Sequence, residues 1–96
     1  MSLKIVFMGT PEFSIRTLKA LVNSNHKVLR VYTQPPKKKT RKQKILKSPV
    51  HIFSEKEKIE VRTSKLSLES EYKEFTKLKP DLVVVVAYGQ IIPELY

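Results

Sequence analysis

Short apolar runs alternate along the chain with segments in which apolar residues recur at helical spacing. Residues 3–8 are mostly apolar and rich in β-formers, which predicts a first strand buried on both faces. The helical segment that follows should begin with Thr10 as its cap and end at about Asn23. Residues 27–32 alternate and predict a second strand. A strand, a helix and a strand in this order form a βαβ unit with parallel strands.

The same signals return after residue 48. Ser48 and Pro49 are a capping residue followed by a proline, which predicts a short helix through about Lys56. Residues 59–62 carry polar alternation, which is typical of a short strand near the edge of a sheet.

A third helix and a fourth strand complete the pattern. The helix should open at Ser67 and end before Pro80. Its inward face should carry Leu68, Tyr72, Phe75 and Leu78. Residues 82–87 contain five consecutive aliphatic residues before an alanine, so they predict a central strand that needs cover on both faces.

These elements predict an α/β fold. Numbered along the chain, the four strands fit a doubly wound parallel sheet of order 3-2-1-4 with flanking helices. The fourth strand would then lie at the edge, where an unbroken run of valines promotes aggregation. We therefore expect the 96 residues to be the N-terminal part of a larger domain, with further strands after Tyr96.

Residues 34–48, hereafter the basic loop, interrupt the pattern and show no periodicity at their centre. They hold seven of the 19 basic residues of the chain and no acidic residue. The seven are Lys37, Lys38, Lys39, Arg41, Lys42, Lys44 and Lys47. Because they supply most of the net charge of +10, they indicate a polyanionic partner such as a nucleic acid. A solvated loop that only aids solubility is the alternative.

The composition limits the class of protein. A hydrophobic content of 41% and a charged content of 29% are typical of a soluble globular domain. No apolar run approaches the roughly 20 residues that span a bilayer, so no membrane partner is expected. The absence of cysteine excludes disulfides and thiolate catalysis and fits a cytoplasmic location. The first strand begins so early that no signal peptide is expected.

The only two glycines, Gly9 and Gly89, follow the first and fourth predicted strands. Open parallel sheets bind ligands beyond the carboxyl ends of their strands, where the strand order reverses. Glycine permits positive φ and close approach of the backbone to a ligand. The two residues therefore predict a ligand crevice between these strands, although both could simply end strands.

Several kinds of site find no support. A dinucleotide site needs G-x-G-x-x-G after the first strand and an acid after the second, where Thr33 and Gln34 stand instead. We therefore exclude a nicotinamide cofactor. His26 should be a turn residue, and His51 should have a surface or packing role. Neither belongs to a recognisable catalytic or metal-binding set, and no metal is expected.

Four blocks together resemble the methionyl-tRNA formyltransferase family in order and spacing. They are residues 7–13 (FMGTPEF), 32–35 (YTQP), 47–50 (KSPV) and 84–93 (VVVAYGQIIP). The resemblance covers essentially all of the chain. It implies a Rossmann-like domain that binds folate rather than a dinucleotide. The family is bacterial and organellar, and its enzymes transfer a formyl group from 10-formyltetrahydrofolate to the amino group of methionyl-initiator tRNA.

The resemblance also implies three groups of site residues. The loop that faces the aminoacyl end of the tRNA corresponds to Gly9, Thr10, Pro11 and Phe13. The residues that contact the tRNA acceptor stem correspond to Lys37, Lys38, Lys39, Arg41, Lys42 and Lys44, with Arg41 at the first base pair. The folate-lining segment corresponds to Tyr88, Gly89, Gln90, Ile91 and Ile92.

The resemblance also leaves open questions. The catalytic Asn, His and Asp of the family lie beyond the fourth strand, so no catalytic residue is expected here and residues 1–96 alone should be inactive. The basic loop lacks the usual R-P-A-G-R-G run and carries more charge. Two alternatives stand: another folate-dependent formyltransferase, acting on a sugar nucleotide or on glycinamide ribonucleotide, and a non-catalytic RNA-binding module. The former has no evident need for a long basic loop.

Overall fold

A computed structural model describes residues 2–38, 45–89, 92, 93 and 96 of the chain. Its elements in chain order are β1 (Lys4–Gly9), α1 (Ser14–Val22), β2 (Lys27–Tyr32), β3 (Lys37–Lys38), β4 (Ile45–Leu46), α2 (Pro49–Lys56), β5 (Val61–Arg62), α3 (Glu69–Leu78) and β6 (Leu82–Val86).

Four of the strands form one parallel sheet in the order β5-β2-β1-β6. Counted without the short β3 and β4, this is the predicted order 3-2-1-4, so the α/β Rossmann-like prediction is confirmed. At the centre of the sheet, Phe7 of β1 lies between Val31 of β2 and Val84 of β6.

Each face of the sheet carries its own hydrophobic core. On one face, Phe7 and Val31 pack with Leu18 of α1 and Val50 of α2. On the other face lies a cluster of Val6, Met8, Tyr32, Leu66, Phe75 and Tyr88. Because adjacent residues of a strand point to opposite faces, β1 contributes to both cores, and all the side chains at positions 5–8 are buried.

The start of α1 differs from the prediction. The helix begins at Ser14 after a turn in which Ser14 N–H donates to the Pro11 carbonyl at 3.0 Å, and no side chain caps it. Thr10, the predicted cap, instead donates its hydroxyl to the Tyr88 carbonyl at 2.7 Å. A contact across 78 residues of sequence replaces the local cap, and the local pattern carries no sign of it.

The inward face of α3 also differs from the prediction. Leu68 is 49% exposed and precedes the helix, whereas Glu71 inside the helix is buried. The Glu71 carboxylate accepts hydrogen bonds from Tyr32 Oη at 3.1 Å and from Arg62 Nε at 3.0 Å. A buried carboxylate is tolerated when it is paired and hydrogen-bonded in this way, and apolar periodicity cannot reveal it.

The sheet edge agrees with the prediction, and the basic loop supplies a further difference. As the order 3-2-1-4 requires, β6 lies at the sheet edge in the described part of the chain, and Leu82 and Val85 are nearly half exposed. The ends of the basic loop pair as an antiparallel ribbon, with Lys37 opposite Leu46 in β3 and β4. Its two-residue strands are too short to produce a readable alternation.

Candidate functional site

Three hydroxyl side chains meet where the central strands end. Thr10 follows β1, Thr33 follows β2, and Ser48 precedes α2. Thr33 Oγ1 lies 2.7 Å from Ser48 Oγ and 3.5 Å from Thr10 Oγ1. Ser48 also caps α2, as predicted, because its Oγ accepts the His51 N–H at 3.0 Å. These bonds join the ends of β1 and β2 to the start of α2.

At both glycine positions, any residue with a Cβ atom would come too close to a neighbouring group. Gly89 has φ of +92°, and a Cβ there would lie 2.7 Å from Nε2 of Gln34. Gly9 packs against the neighbouring strand, where a Cβ would lie 2.8 Å from the Val86 carbonyl oxygen. The sequence explained both glycines by close approach to a ligand. For Gly9 the structure gives a different reason, which is close approach to β6.

A pocket of about 340 Å³, hereafter the loop pocket, opens beside the basic loop. Its lining residues come from the ends of β1 and β2, both arms of the basic loop and the start of α2. They are Thr10, Pro11, Glu12, Gln34, Pro35, Lys37, Leu46, Lys47, Ser48 and Pro49. The pocket thus combines two lysines and one carboxylate with proline and leucine surface, which suits a ligand with both apolar and charged parts.

A second pocket of about 570 Å³, hereafter the Gly89 pocket, lies on the other side of Gln34 and Pro35. Its remaining lining residues follow β5 and β6. They are Thr63, Lys65, Leu66, Ser67, Gly89 and Pro93. The strand ends that the sequence assigned to one crevice therefore contribute to two pockets, with Thr10 in one and Gly89 in the other.

Lys47, at the end of the basic loop, has an acidic partner. Its ammonium group donates to both oxygens of Glu55 in α2, at 2.8 and 3.0 Å. This hydrogen bond is the main cause of a lowered pKa of the Glu55 carboxyl. Both side chains are about half exposed, so the pair contributes little to stability but holds the returning arm of the loop near α2.

His51 lies next to this ion pair. Its Nε2 is 3.8 Å from Glu55 Oε2, and its Nδ1 is buried without a hydrogen-bond partner among the described residues. Burial is the main cause that lowers the pKa of His51. These surroundings agree with the packing role that the sequence suggested.

The remaining predicted site residues lie in different surroundings. Phe13 is 67% exposed at the start of α1. The Tyr88 ring is buried in the core, and Ile92 packs against the same cluster. Lys37 lines the loop pocket, and Lys38 lies in β3. Outside the described residues lie Lys39, Arg41, Lys42, Lys44, Gln90 and Ile91.

The sequence did not single out several residues that contribute to the site. Thr33, Gln34 and Ser48 were noted only as a strand end and a helix cap. Their signal is positional, since polar residues directly after parallel strands gather at one edge of the sheet. Within the described ranges, no group of three or more His, Asp or Glu side chains could hold a metal ion. None of the helices described is long and apolar enough to cross a membrane.

Comparison with known proteins adds independent findings. The sequence profile described as formyl transferase matches residues 3–95. A methionyl-tRNA formyltransferase from Pelagibacter ubique is 51% identical over 98 residues, which cover 100% of this chain and 32% of that protein. A protein of the same name from Ehrlichia canis is 50% identical, and the match covers 96% of this chain and 31% of that protein. Another from Coxiella burnetii is 46% identical, and the match covers 98% of this chain and 30% of that protein. The chain thus spans about a third of the length of these relatives.

Proposed function

The chain belongs to the formyl transferase family, and on this premise we propose that its protein transfers a formyl group from 10-formyltetrahydrofolate to the amino group of methionyl-initiator tRNA. The relatives named above support this proposal, since all three are named methionyl-tRNA formyltransferases. The structural observation that carries it is the position of the basic loop. Its lysine-bearing ends, Lys37 and Lys47, both line the pocket at the carboxyl ends of β1 and β2.

The basic loop is the proposed contact to the tRNA acceptor stem. The lysines at positions 37, 38, 39, 42 and 44 would neutralise phosphates, which is a sequence-independent role. Arg41 would contact the first base pair, because a planar guanidinium can stack on a base and donate hydrogen bonds at once. Since Lys47 already pairs with Glu55, we assign it to holding the loop rather than to RNA contact.

The loop pocket is the proposed site of the aminoacyl end. Its volume of about 340 Å³ lies at the lower end of the usual range for small-molecule pockets. Thr10 and Pro11 would form one wall of the pocket, next to the buried Gly9. Phe13, which is exposed, would contact the aminoacyl end of the tRNA as it enters.

The segment that follows β6 is the proposed contribution to the folate crevice. Because the Tyr88 ring is buried, Tyr88 would offer its backbone, and Gly89, Gln90, Ile91 and Ile92 would complete this contribution. Gly89 and Pro93 already line a cavity of about 570 Å³. No residue of this chain is proposed to be catalytic, and no metal or nicotinamide is invoked. Cytoplasmic location is part of the same proposal.

A substrate panel tests the proposal. The intact protein would be incubated with 10-formyltetrahydrofolate and, in parallel, with methionyl-initiator tRNA, an amino-sugar nucleotide or glycinamide ribonucleotide. We expect formyl-methionyl-tRNA to form and the two small acceptors to remain unmodified. Uncharged initiator tRNA is the matched control, since it binds the loop but lacks the accepting amine. Formylation of a small acceptor instead, or RNA binding without transfer to any acceptor, would replace the proposal by one of its alternatives.

A further inference from the structure

Thr33 is the most enclosed of the polar residues at the site. Its side chain is fully buried, whereas Thr10 and Ser48 are partly exposed and line the loop pocket. Thr33 Oγ1 lies within hydrogen-bonding distance of both. It therefore lies beneath the pocket, between two of its walls, without lining the pocket itself.

One direction in this set is fixed. Thr10 gives its single hydroxyl proton to the Tyr88 carbonyl, so across its 3.5 Å contact with Thr33 it can only accept. Between Thr33 Oγ1 and Ser48 Oγ, which lie 2.7 Å apart, either hydroxyl can donate. Ser48 in turn accepts the His51 N–H. Each of these three hydroxyl groups therefore has hydrogen-bond partners, and hydrogen bonds that are linked in this way strengthen one another.

This chain of bonds connects segments that serve different proposed tasks. It runs from the start of α2, where the basic loop returns, through β2 and β1 to the backbone that precedes Gly89. Gln34 N–H also donates to Thr10 Oγ1, at 3.3 Å. Removing the central hydroxyl would break the contacts of Thr33 with both Thr10 and Ser48, so the two side chains would lose the link that joins the pocket walls.

We propose that Thr33 is a positioning residue that sets the separation of Thr10 and Ser48 across the loop pocket and thereby the fit of the aminoacyl end. This inference rests on the proposed function for its choice of ligand. The juxtaposition of the three hydroxyls does not depend on that function, so it can be tested separately.

The kinetic test compares three variants of the intact protein. Thr33→Val keeps the shape but removes the hydroxyl, and Thr33→Ser restores the hydroxyl. Ser54→Ala is the matched control, because Ser54 is fully buried and its Oγ has no hydrogen-bond partner in the described part of the chain. We expect Thr33→Val to raise the KM for methionyl-tRNA roughly tenfold, the effect of one buried unsatisfied group. The KM for formyl-folate and kcat should change much less, and Thr33→Ser and Ser54→Ala should resemble the wild type.

Amide hydrogen exchange provides a readout without any substrate. In Thr33→Val, exchange should become faster at His51 and Gln34, whose N–H groups donate to the outer hydroxyls. It should not change at Val31, whose N–H donates to the Glu60 carbonyl in the sheet. If the wild type formylates no tRNA, the proposed function fails, and these amides still decide the role of Thr33. Unchanged exchange at both sites, or equal acceleration at Val31, would refute positioning by Thr33.

Discussion

Two buried tyrosines differ in what their hydroxyl groups contact. Tyr32 accepts from Arg30 at 3.2 Å and donates to Glu71 at 3.1 Å, whereas the Tyr88 hydroxyl has no hydrogen-bond partner among the described residues. Burial is the main cause that raises the pKa of each phenol to about 12. The two tyrosines therefore share a raised pKa and differ in the hydrogen bonds of their hydroxyl groups. Tyr→Phe variants can measure the contribution of the pKa and that of the hydrogen bonds separately.

Alkaline unfolding should reveal the raised pKa that the two tyrosines share. Between pH 10 and about 12 a tyrosine ionises in the unfolded chain before it ionises in the fold, so the free energy of unfolding falls as pH rises. Below pH 10 both states are protonated and this contribution is fully present. We expect each Tyr→Phe variant to lose about 2–3 kcal/mol less than the wild type across this window.

The same variants should differ at pH 7. Tyr32→Phe leaves Arg30 and Glu71 each short of a partner and should cost about 1–3 kcal/mol. Tyr88→Phe removes a hydroxyl that has no partner in the part of the chain the structure describes, and it should be nearly neutral. Urea titrations at pH 7 and at a series of pH values from 10 to about 12 measure both effects. Equal costs at pH 7 would contradict the assigned hydrogen bonds.

Individual residues were the hardest part of the site to predict. Thr10 looks like a helix cap because it precedes Pro11 and a periodic segment, yet its hydroxyl bonds to the Tyr88 carbonyl. Glu71 is an acidic residue outside the predicted inward face of α3, yet it is buried and forms an ion pair with Arg62. In both cases the deciding partner is distant in sequence, and a local pattern contains no information about it.

The helix α2 shows where a local signal is sufficient. Ser48 and Pro49 predicted its start, and the Ser48 side chain caps it by accepting from His51. Ser67 gave a similar signal for α3, but that helix has Leu68 at its N-cap and no side-chain cap. The difference is that Ser48 has tertiary support from Thr33, which fixes its rotamer.

Alanine substitution at the two serines should separate a true cap from an apparent one. We expect Ser48→Ala to lower the free energy of unfolding by about 1 kcal/mol or more, because the cap and the Thr33 contact are lost together. Ser67→Ala should have an effect close to zero. Thermal denaturation by circular dichroism measures both, and a larger loss for Ser67→Ala would contradict the assignment of the caps.

The basic loop was predicted from its charge, while its paired ends were not. The ribbon of β3 and β4 has only two residues on each side. The run of basic residues and the flanking prolines were sufficient to predict a loop and a polyanionic partner. The pairing of such short strands depends on backbone geometry rather than on the pattern of side chains.

Salt dependence should show how the loop binds RNA. If it neutralises about four to six phosphates, the affinity of the intact protein for initiator tRNA should fall with a log–log slope of roughly −3 to −5. Arg41→Ala should weaken binding more than Lys38→Ala, since only arginine can stack and donate together. Filter binding at several salt concentrations measures both. Equal losses would mean that the loop is only an electrostatic patch.

At the scale of the whole molecule, both the strand order and the position of β6 at the sheet edge were predictable. Three crossovers join the four parallel strands, and because such connections are right-handed as a rule, they fit the order 3-2-1-4. The aliphatic run of β6 calls for cover on both faces, and at the edge Val85 is 47% exposed. The sequence pattern of a strand indicates how much apolar surface must be buried, but it does not identify the element that packs beside the strand.

This edge predicts self-association of residues 1–96 when prepared alone. An apolar strand edge offers unpaired backbone groups to a second copy, and a lysine there blocks pairing. We expect Val85→Lys to reduce association in sedimentation velocity, whereas Ile52→Lys, at a 55% exposed position on α2, should have no effect. A monomeric wild-type sample, or equal effects of the two lysines, would contradict association through β6.

Steady-state formylation by the intact protein tests the central claim, that the basic loop holds the aminoacyl end of initiator tRNA for formyl transfer. The wild type would be compared with a variant whose six loop cations other than Lys47 are replaced by glutamine. They are Lys37, Lys38, Lys39, Arg41, Lys42 and Lys44. We predict that the KM for methionyl-tRNA rises at least roughly tenfold, as expected for the loss of several phosphate contacts, with an unchanged KM for 10-formyltetrahydrofolate. An unchanged KM for methionyl-tRNA would contradict the account.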